Sequence, residues 1–255
     1  MASVFVTGSA DGIGRETARA LAEAGHTVVL HARNHERAKV AEAAVPGAAG
    51  VAVGDVSSLA QTRTLAAAAA ALCPYDVVIH NVGVGSAAQR VVTGDGLEHI
   101  FQVNVVTPYL LTALMPRPAR LVYLTSGREA DGVADLDDLQ YERKRWNGTQ
   151  AYDDSKLHDV MLAFAVARLW PRVRSNAVDP GWIRTRMGGP HAPDDLPEGA
   201  ETQVWLATSD EPDALVTGRY LKRRRVLPAN PAAYDVGLQD RLLAICADLT
   251  GVALP

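Results

Sequence analysis

Two residues four positions apart, Tyr152 and Lys156, carry the side chains needed to donate a proton to a substrate. On a helix this spacing places a phenol and an ammonium on the same face, one turn apart. A free phenol has a pKa of about 10, and a neighbouring positive charge stabilises the phenolate and lowers that pKa. The pair predicts an acid–base site, with an ordinary surface pair of neighbours as the alternative.

A glycine-rich turn near the start of the sequence predicts a binding site for a dinucleotide. The apolar run 3–6 is typical of a short buried strand and leads into Gly8, Gly12 and Gly14, after which apolar spacing indicates a helix. Glycines let the main chain turn tightly beside a pyrophosphate, and the helix N-terminus attracts its negative charge. The glycines follow G-x-x-x-G-x-G rather than G-x-G-x-x-G, so an ordinary glycine-rich turn stays open as the alternative.

The end of the second predicted strand bears on which dinucleotide is bound. It has Arg33 and Asn34 and no carboxylate. An acidic group at this place accepts hydrogen bonds from a free ribose 2′-hydroxyl and repels a 2′-phosphate, whereas Arg33 offers a phosphate a planar cationic fork. NADP(H) is therefore favoured over NAD(H), with a solvated surface arginine as the alternative. Asp11, inside the glycine turn, argues mildly for NAD(H).

The glycine turn and the Tyr-Lys helix, in one chain of 255 residues, resemble the short-chain dehydrogenase/reductase family. Further motifs of that family stand in order along the sequence: Asp55-Val56, His80-Asn81-Val82-Gly83, Asn104, Ser126, and Pro180-Gly181 with Ile183 and Thr185. His80 and Val82 depart from the family's Asn-Asn-Ala-Gly motif. The segment 127–151 between Ser126 and Tyr152 is longer than in the common short form, and it is similar to the retinol-dehydrogenase-like and WW-domain-oxidoreductase-like branch.

The resemblance implies a role for each matching residue in an NADP(H)-dependent interconversion of a carbonyl compound and an alcohol. The implied catalytic residues are Asn104, Ser126, Tyr152 and Lys156. The implied cofactor-binding residues are Gly8, Ser9, Asp11, Gly12, Ile13, Gly14, Arg33, Asn34, Asp55, Val56, Asn81, Val82, Gly83, Tyr152, Lys156, Pro180, Gly181, Ile183 and Thr185. A hydrophobic aldehyde or ketone is the expected substrate. A non-catalytic NADP(H) sensor or scaffold with the same fold is the alternative.

The residue pattern predicts a single Rossmann domain of the α/β class over residues 1–255. Strands and helices alternate, and the strands are apolar without alternation, which indicates a doubly wound parallel sheet of about seven strands in the order 3-2-1-4-5-6-7. Residues 182–199 are punctuated by glycine and proline, so we expect them to form a flap over the substrate. Trp182 and Met187 are expected to line it. Tyr141 and Trp146 are candidates for an apolar wall or for local packing.

Composition and charge exclude several other classes of function. The net charge is −4, and the single basic run, 222–225, is interpreted as a solvated surface, so no nucleic-acid partner is expected. No apolar run is long enough to cross a bilayer, and no signal peptide is recognisable, which favours a soluble, cytoplasmic protein with no membrane partner. The two cysteines and seven scattered histidines suggest no disulfide and no metal site. The resemblance implies a homodimer or homotetramer, paired through the helices that bear Asn104 and Tyr152, and a monomer stays open because this branch includes monomers.

Overall fold

The computed structural model, which describes residues 1–255, contains eight strands: β1 (Ser3–Val6), β2 (Thr27–Ala32), β3 (Gly50–Val53), β4 (Val77–His80), β5 (Arg120–Leu124), β6 (Arg174–Val178), β7 (Tyr220–Lys222) and β8 (Arg225–Leu227). They form one sheet in the order β3-β2-β1-β4-β5-β6-β7-β8, and only β7 and β8 are antiparallel. The predicted class and order are confirmed. The edge strand β8 is an addition that the sequence did not predict.

Eight α-helices flank the strands: α1 (Gly12–Glu23), α2 (His35–Ala44), α3 (Leu59–Leu72), α4 (His99–Phe101), α5 (Thr107–Leu114), α6 (Gly148–Leu169), α7 (Leu196–Thr208) and α8 (Val236–Thr250). A π-helical turn, Gln102–Val106, joins α4 to α5. None of the helices combines the length and the apolar content needed to cross a lipid bilayer.

Helices cover both faces of the sheet, which explains why its central strands are apolar at consecutive positions. In β1, Val4 and Val6 pack into the core beneath α1, α2 and α7, whereas Phe5 packs into the core beneath α3, α5, α6 and α8. All three side chains are fully buried. Parallel strands end at a common edge, so the loops that follow β1, β4 and β5 lie close together there.

The flap predicted over residues 182–199 is shorter than expected, because α7 already begins at Leu196. The Asp195 N–H donates to Glu198 Oε2 at 2.8 Å, which is one half of a capping box. Pro197 stands in the first helical turn, where its missing N–H removes no hydrogen bond. The capping residues, rather than the apolar pattern, set this helix start.

The basic run 222–225 forms the turn between β7 and β8 and is only partly solvated. Arg223 and Arg224 have left-handed φ values of 48° and 59°. Three of the four side chains form ion pairs: Lys222 with Asp179 at 2.8 Å, Arg223 with Asp194 at 2.8 Å, and Arg224 with Glu201 at 3.0 Å. The run therefore joins this hairpin to the flap and to α7.

Candidate active site

The loop between β1 and α1 depends on glycine at each of its three glycine positions. Gly8 and Gly12 have φ values of 65° and 54°, which side chains disfavour. At Gly14 a Cβ would lie 2.3 Å from the side-chain nitrogen of Asn81, so only glycine lets α1 begin this close to the loop after β4. Ile13 packs onto the core and anchors the first turn. The positive end of α1 thus reaches the carboxyl edge of the sheet, where a pyrophosphate is favoured.

Asn81 braces the glycine loop from the neighbouring strand. Its side-chain amide donates to Thr7 O at 2.8 Å and to Gly8 O at 3.3 Å. The main-chain N–H of Val82 donates to the Thr7 hydroxyl at 3.0 Å. The side chain of Asn81 is therefore used to hold two loops together at the edge of the sheet.

His31 on β2, to which no sequence motif pointed, supports the same loop. Its Nδ1 accepts the Gly8 N–H at 2.9 Å, and its Nε2 is 2.9 Å from Gly54 O. An accepting Nδ1 requires a neutral ring with its proton on Nε2, and burial favours that form by lowering the pKa of His31. Ser9 is a predicted cofactor-binding residue. Its N–H donates to His31 O at 3.2 Å, and its hydroxyl accepts the His31 N–H at 2.8 Å.

Three arginines surround the glycine loop on the side of β2. Arg37 on α2 donates to Ala10 O at 3.2 Å and pairs with Asp11 at 3.3 Å, and Arg15 approaches the same carboxylate at 4.0 Å. Arg33 is exposed at the end of β2 and belongs to no salt bridge. The charge of Asp11 is thus compensated by Arg37 and Arg15, and Arg33 takes no part in this pairing.

Other predicted cofactor residues at this edge have partners inside the protein. Asn34 caps α2 by accepting a backbone N–H at 2.9 Å. Asp55 accepts the N–H and the hydroxyl of Ser57 at 2.9 and 2.7 Å. Burial opposes the ionised form of Asp55, but these bonds and the charge of Arg33 outweigh it, and its pKa is lowered. Val56 is buried, and its carbonyl accepts a hydroxyl at 3.0 Å.

The segment after β6 folds back over the glycine loop. It begins at Pro180 and turns at Gly181, whose φ is 95°. Ile183 is buried beneath the segment, and Thr185 lies 3.5 Å from the position that a Cβ on Gly12 would take. The segment therefore encloses the glycine loop from the side opposite β2.

Tyr152 and Lys156 lie on α6, as predicted, and Lys156 points into the protein beneath the phenol. The Lys156 Nζ is 5.8 Å from the centroid of the Tyr152 ring. It donates to Leu124 O at 3.1 Å and to Asp159 Oδ2 at 2.8 Å. Burial opposes the charge on Lys156, but the Asp159 carboxylate outweighs it, and the pKa of Lys156 is raised. The ammonium is therefore charged and fixed in place.

Two contacts hold the strand end that bears Ser126 against α6. The Thr125 hydroxyl donates to Lys156 O at 2.6 Å, and Arg128 donates from Nε to Asp153 at 2.8 Å. These contacts fall on either side of Ser126, so the serine lies alongside the segment of α6 that carries the phenol. Ser126 is half-buried, and its hydroxyl oxygen accepts the Arg128 N–H at 3.3 Å.

Asn104 lies in the π-helical turn and joins α6 to the loop after β4. Its oxygen accepts the Val84 N–H at 2.8 Å, and its nitrogen donates to Val84 O at 3.0 Å and to the Ser155 hydroxyl at 2.9 Å. A Cβ on Gly83 would lie 3.4 Å from the Asn104 oxygen and 3.5 Å from the Lys156 Nζ. Single π turns within helices often occur at functional sites, and here the turn brings three predicted residues together.

Residues 8–215 match a family model described as enoyl-(acyl carrier protein) reductase. The chain is also 42% identical to an uncharacterized oxidoreductase of Emericella nidulans, over 100% of this chain and 99% of that relative. The chain belongs to the short-chain dehydrogenase/reductase family. It is therefore an oxidoreductase of that type, with a fold that binds a nicotinamide cofactor.

Two further relatives of this short-chain dehydrogenase/reductase bear on its branch and its cofactor. Human retinol dehydrogenase 13 is 30% identical over 99% of this chain and 86% of that protein, in agreement with the predicted branch. A blue fluorescent protein from a metagenomic library, solved in complex with NADPH, is 26% identical with a TM-score of 0.68. That alignment covers 87% of this chain and 95% of the other.

The insert 127–151 of this family member is anchored through the two acids that follow Tyr152. Arg128 pairs with Asp153, and the Tyr141 hydroxyl donates to Asp154 at 2.7 Å. Tyr141 is 5% exposed and meets the Trp146 ring edge-on at 5.3 Å. Tyr141 therefore serves local packing, and Trp146 is the half-buried aromatic of the pair.

Two large apolar side chains of the flap stay exposed beside this site. Trp182 is 57% exposed and Met187 is 56% exposed. The Trp182 indole N–H donates to Gly188 O at 2.8 Å, which holds the flap in a closed turn. Met187 Cγ is 3.3 Å from the position that a Cβ on Gly85 would take, so the flap touches the loop after β4.

Proposed function

We propose that this protein reduces a hydrophobic aldehyde or ketone to an alcohol with NADPH, and catalyses the reverse oxidation, with Tyr152 as the general acid and base. The observation that supports this most strongly is the buried, charged Lys156 ammonium, 5.8 Å from the Tyr152 ring. A charge fixed beneath a phenol stabilises the phenolate that is left after the proton has been donated.

The residues present fit a nicotinamide dinucleotide. Glycine at position 14 lets the first turn of α1 lie against the loop after β4, and that turn faces the edge of the sheet, where its free main-chain amides favour a pyrophosphate. Lys156 lies near enough to this edge to hold the nicotinamide ribose, as the family resemblance implies. When bound, NADPH supplies the hydride that is added to the carbonyl carbon of the substrate.

The side chains of this chain then handle the charge that appears on the carbonyl oxygen. As the carbon gains the hydride, negative charge grows on the oxygen, and the Tyr152 phenol donates its proton to it, which gives the alcohol. The Ser126 hydroxyl donates a hydrogen bond to the same oxygen. The Lys156 ammonium stabilises the phenolate, and Asn104 holds Gly83 and Val84 next to the ammonium.

The cluster of arginines supports NADP(H) as the preferred cofactor. Arg33 forms no salt bridge, whereas Asp11, which argued for NAD(H), is paired with Arg37. A guanidinium binds a ribose 2′-phosphate through a charge-assisted fork. The NADPH complex of the similar metagenomic protein supports the same assignment.

The exposed apolar residues of the flap support a hydrophobic substrate. Trp182 and Met187 lie on the segment that encloses the site, and large apolar side chains left open to solvent mark surfaces that bind apolar ligands. The name of the human relative refers to retinol, an apolar alcohol. An apolar alcohol and its aldehyde or ketone are therefore the substrate class we propose.

Replacing the phenol tests this function. We expect Tyr152→Phe to lower kcat about 10²- to 10⁴-fold, because the proton donor is lost while the binding surface stays. The measurement follows NADPH absorbance with a panel of lipophilic aldehydes and ketones. NADPH affinity, measured by fluorescence, is expected to stay within about tenfold of the wild type, the effect of losing one hydrogen bond.

Tyr75→Phe is the matched control, because Tyr75 lies before β4 at the opposite edge of the sheet and donates only to Ala69 O, at 2.7 Å. This variant is expected to keep the wild-type rate. Unchanged turnover by Tyr152→Phe would contradict the assignment of the acid. Tight NADPH binding by the wild type without turnover of any compound would instead favour a sensor.

A further inference from the structure

The ammonium of Lys156 is held by the carboxylate of Asp159, which has no role in the proposed reaction. Asp159 lies three residues further along α6, and its Oδ2 is 2.8 Å from the Lys156 Nζ. The two side chains are 4% and 6% exposed, so water does not screen the pair. No other carboxylate is within ion-pair distance of this lysine, and its remaining partner is the carbonyl of Leu124.

A buried ion pair costs desolvation free energy that apolar side chains in the same place would not. Taking two charges out of water is unfavourable, and apolar side chains of similar size often stabilise a protein equally well. Lys156 is explained by its place beneath Tyr152, but an amide at position 159 would hold the ammonium with less desolvation. The negative charge of Asp159 therefore calls for a role of its own.

We propose that Asp159 is a positioning residue for Lys156, and that its charge sets how strongly the ammonium stabilises the Tyr152 phenolate. The proposal rests on the proposed function, in which Tyr152 exchanges a proton with the substrate. When Asp159 is ionised, it fixes the ammonium and offsets part of its charge. When Asp159 takes up a proton from solvent, the full positive charge of Lys156 acts on the phenolate.

The groups around Asp159 leave it as the one that titrates near neutrality. Lys156 faces it from the same helix and Tyr123 from β5, and the ring of Tyr123 lies 4.7 Å from that of His80 on β4. Burial raises the pKa of the Tyr123 phenol and lowers the pKa of His80 to about 3, so both are neutral. Burial raises the pKa of Asp159 to about 6, although Lys156 opposes the shift.

The sign of the effect on catalysis follows from these charges. As the pH falls through about 6, Asp159 becomes neutral, and the better stabilised phenolate makes Tyr152 a stronger acid. The rate of carbonyl reduction is then expected to rise. In Asp159→Asn the negative charge is absent at every pH, so the step near pH 6 disappears.

The same variant is expected to move the alkaline limb of the pH profile. Reduction requires the protonated phenol and oxidation requires the phenolate. Without the opposing charge of Asp159, both limbs are expected to shift about one pH unit lower, a Coulomb effect of the size expected across the roughly 10 Å of seven helical residues at an effective dielectric constant near 20. A residue that served packing alone would change the size of kcat without moving these midpoints.

The experiment records kcat and kcat/KM for reduction and oxidation from pH 5 to pH 10, with wild type, Asp159→Asn and Asp248→Asn. Asp248 is exposed on α8 and belongs to no salt bridge, so its replacement changes the net charge equally and is expected to leave the profile unchanged. Asp159→Glu keeps the carboxylate and is expected to keep the acid step. NADPH affinity and thermal unfolding establish that each variant is folded.

A profile of Asp159→Asn that superimposes on that of the wild type would overturn the proposal. A wild-type rate of reduction that is flat between pH 5 and pH 7.5 would also overturn it, even where the asparagine variant does not fold. These failures differ from failure of the proposed function, which would appear as a wild-type protein without turnover on any carbonyl compound.

Discussion

At the residue scale, charged side chains around the glycine loop compensate one another. Asp11 caps α1 by accepting the Gly12 N–H at 2.9 Å. Its negative charge at this position would by itself repel a phosphate. Arg37 offsets that carboxylate, and the pKa of Asp11 is lowered: burial opposes this, but the bond to Gly12 and the arginines prevail. Arg33 forms no salt bridge, and its removal is the sharper test of cofactor choice.

We expect Arg33→Ala to raise the KM for NADPH about tenfold or more and to leave the KM for NADH within about twofold, because only NADPH carries the phosphate that the guanidinium binds. Initial rates with both cofactors measure this. Arg19→Ala is the control, since Arg19 pairs with Glu16 and Glu23 along α1. Equal effects of Arg33→Ala on the two cofactors would contradict the NADP(H) preference.

Motif residues could be located from the sequence, whereas their partners could not. Tyr152, Lys156 and Gly14 have spacings that follow directly from helix and turn geometry. The i, i+3 spacing of Lys156 and Asp159 was visible as well, but nothing in the sequence showed that both side chains are buried. His31 carried no signal at all, because its role depends on a contact between β2 and the loop after β1.

At the scale of elements, the β7–β8 hairpin secures the flap. Arg223 in its turn pairs with Asp194, whose carboxylate also lies 2.6 Å from the position that a Cβ on Gly181 would take. The sequence predicted only a solvated basic run here. The three residues of β8 are all exposed and show no apolar pattern that would predict a strand. Charged residues on such an edge also discourage pairing with another chain.

We expect Arg223→Ala to loosen the flap, because an exposed ion pair of this kind contributes about 0.5–1 kcal/mol. Trypsin cleavage after Arg184 and Arg186, both exposed on the flap, is then expected to speed up about two- to fivefold. Limited proteolysis followed by mass spectrometry measures the rate. Arg225→Ala is the control, and equal cleavage of both variants would show that the hairpin does not restrain the flap.

At the scale of the whole molecule, α8 and the residues after it occupy the outer side of α5 and α6. The Tyr109 hydroxyl donates to Val252 O at 2.8 Å, and the Trp170 indole donates to Pro255 O at 2.7 Å. Leu242 and Cys246 of α8 are fully buried in the same core as α6. The resemblance implied pairing through the helices of Asn104 and Tyr152 or a monomer, and α8 packs against these two helices.

We therefore expect the protein to be a monomer of 27.1 kDa in solution, because a second copy would have to displace α8 from a buried apolar contact. Size-exclusion chromatography with light scattering, over a range of protein concentrations, measures the mass. A stable dimer at all concentrations, with amides of α5 and α6 protected from hydrogen exchange at its interface, would contradict this expectation.

The transfer of deuterium from NADPH to product is the sharpest test of hydride transfer with Tyr152 as the proton donor. The protein is incubated with a lipophilic ketone and NADPH deuterated at C4 of the nicotinamide, separately on each face, and the alcohol is analysed by mass spectrometry. We expect the wild type to form an alcohol with one deuterium on the carbinol carbon from one of the two labelled cofactors, and Tyr152→Phe to form almost none. Alcohol that carries no deuterium with either labelled cofactor, or labelled alcohol formed equally fast by Tyr152→Phe, would overturn this mechanism.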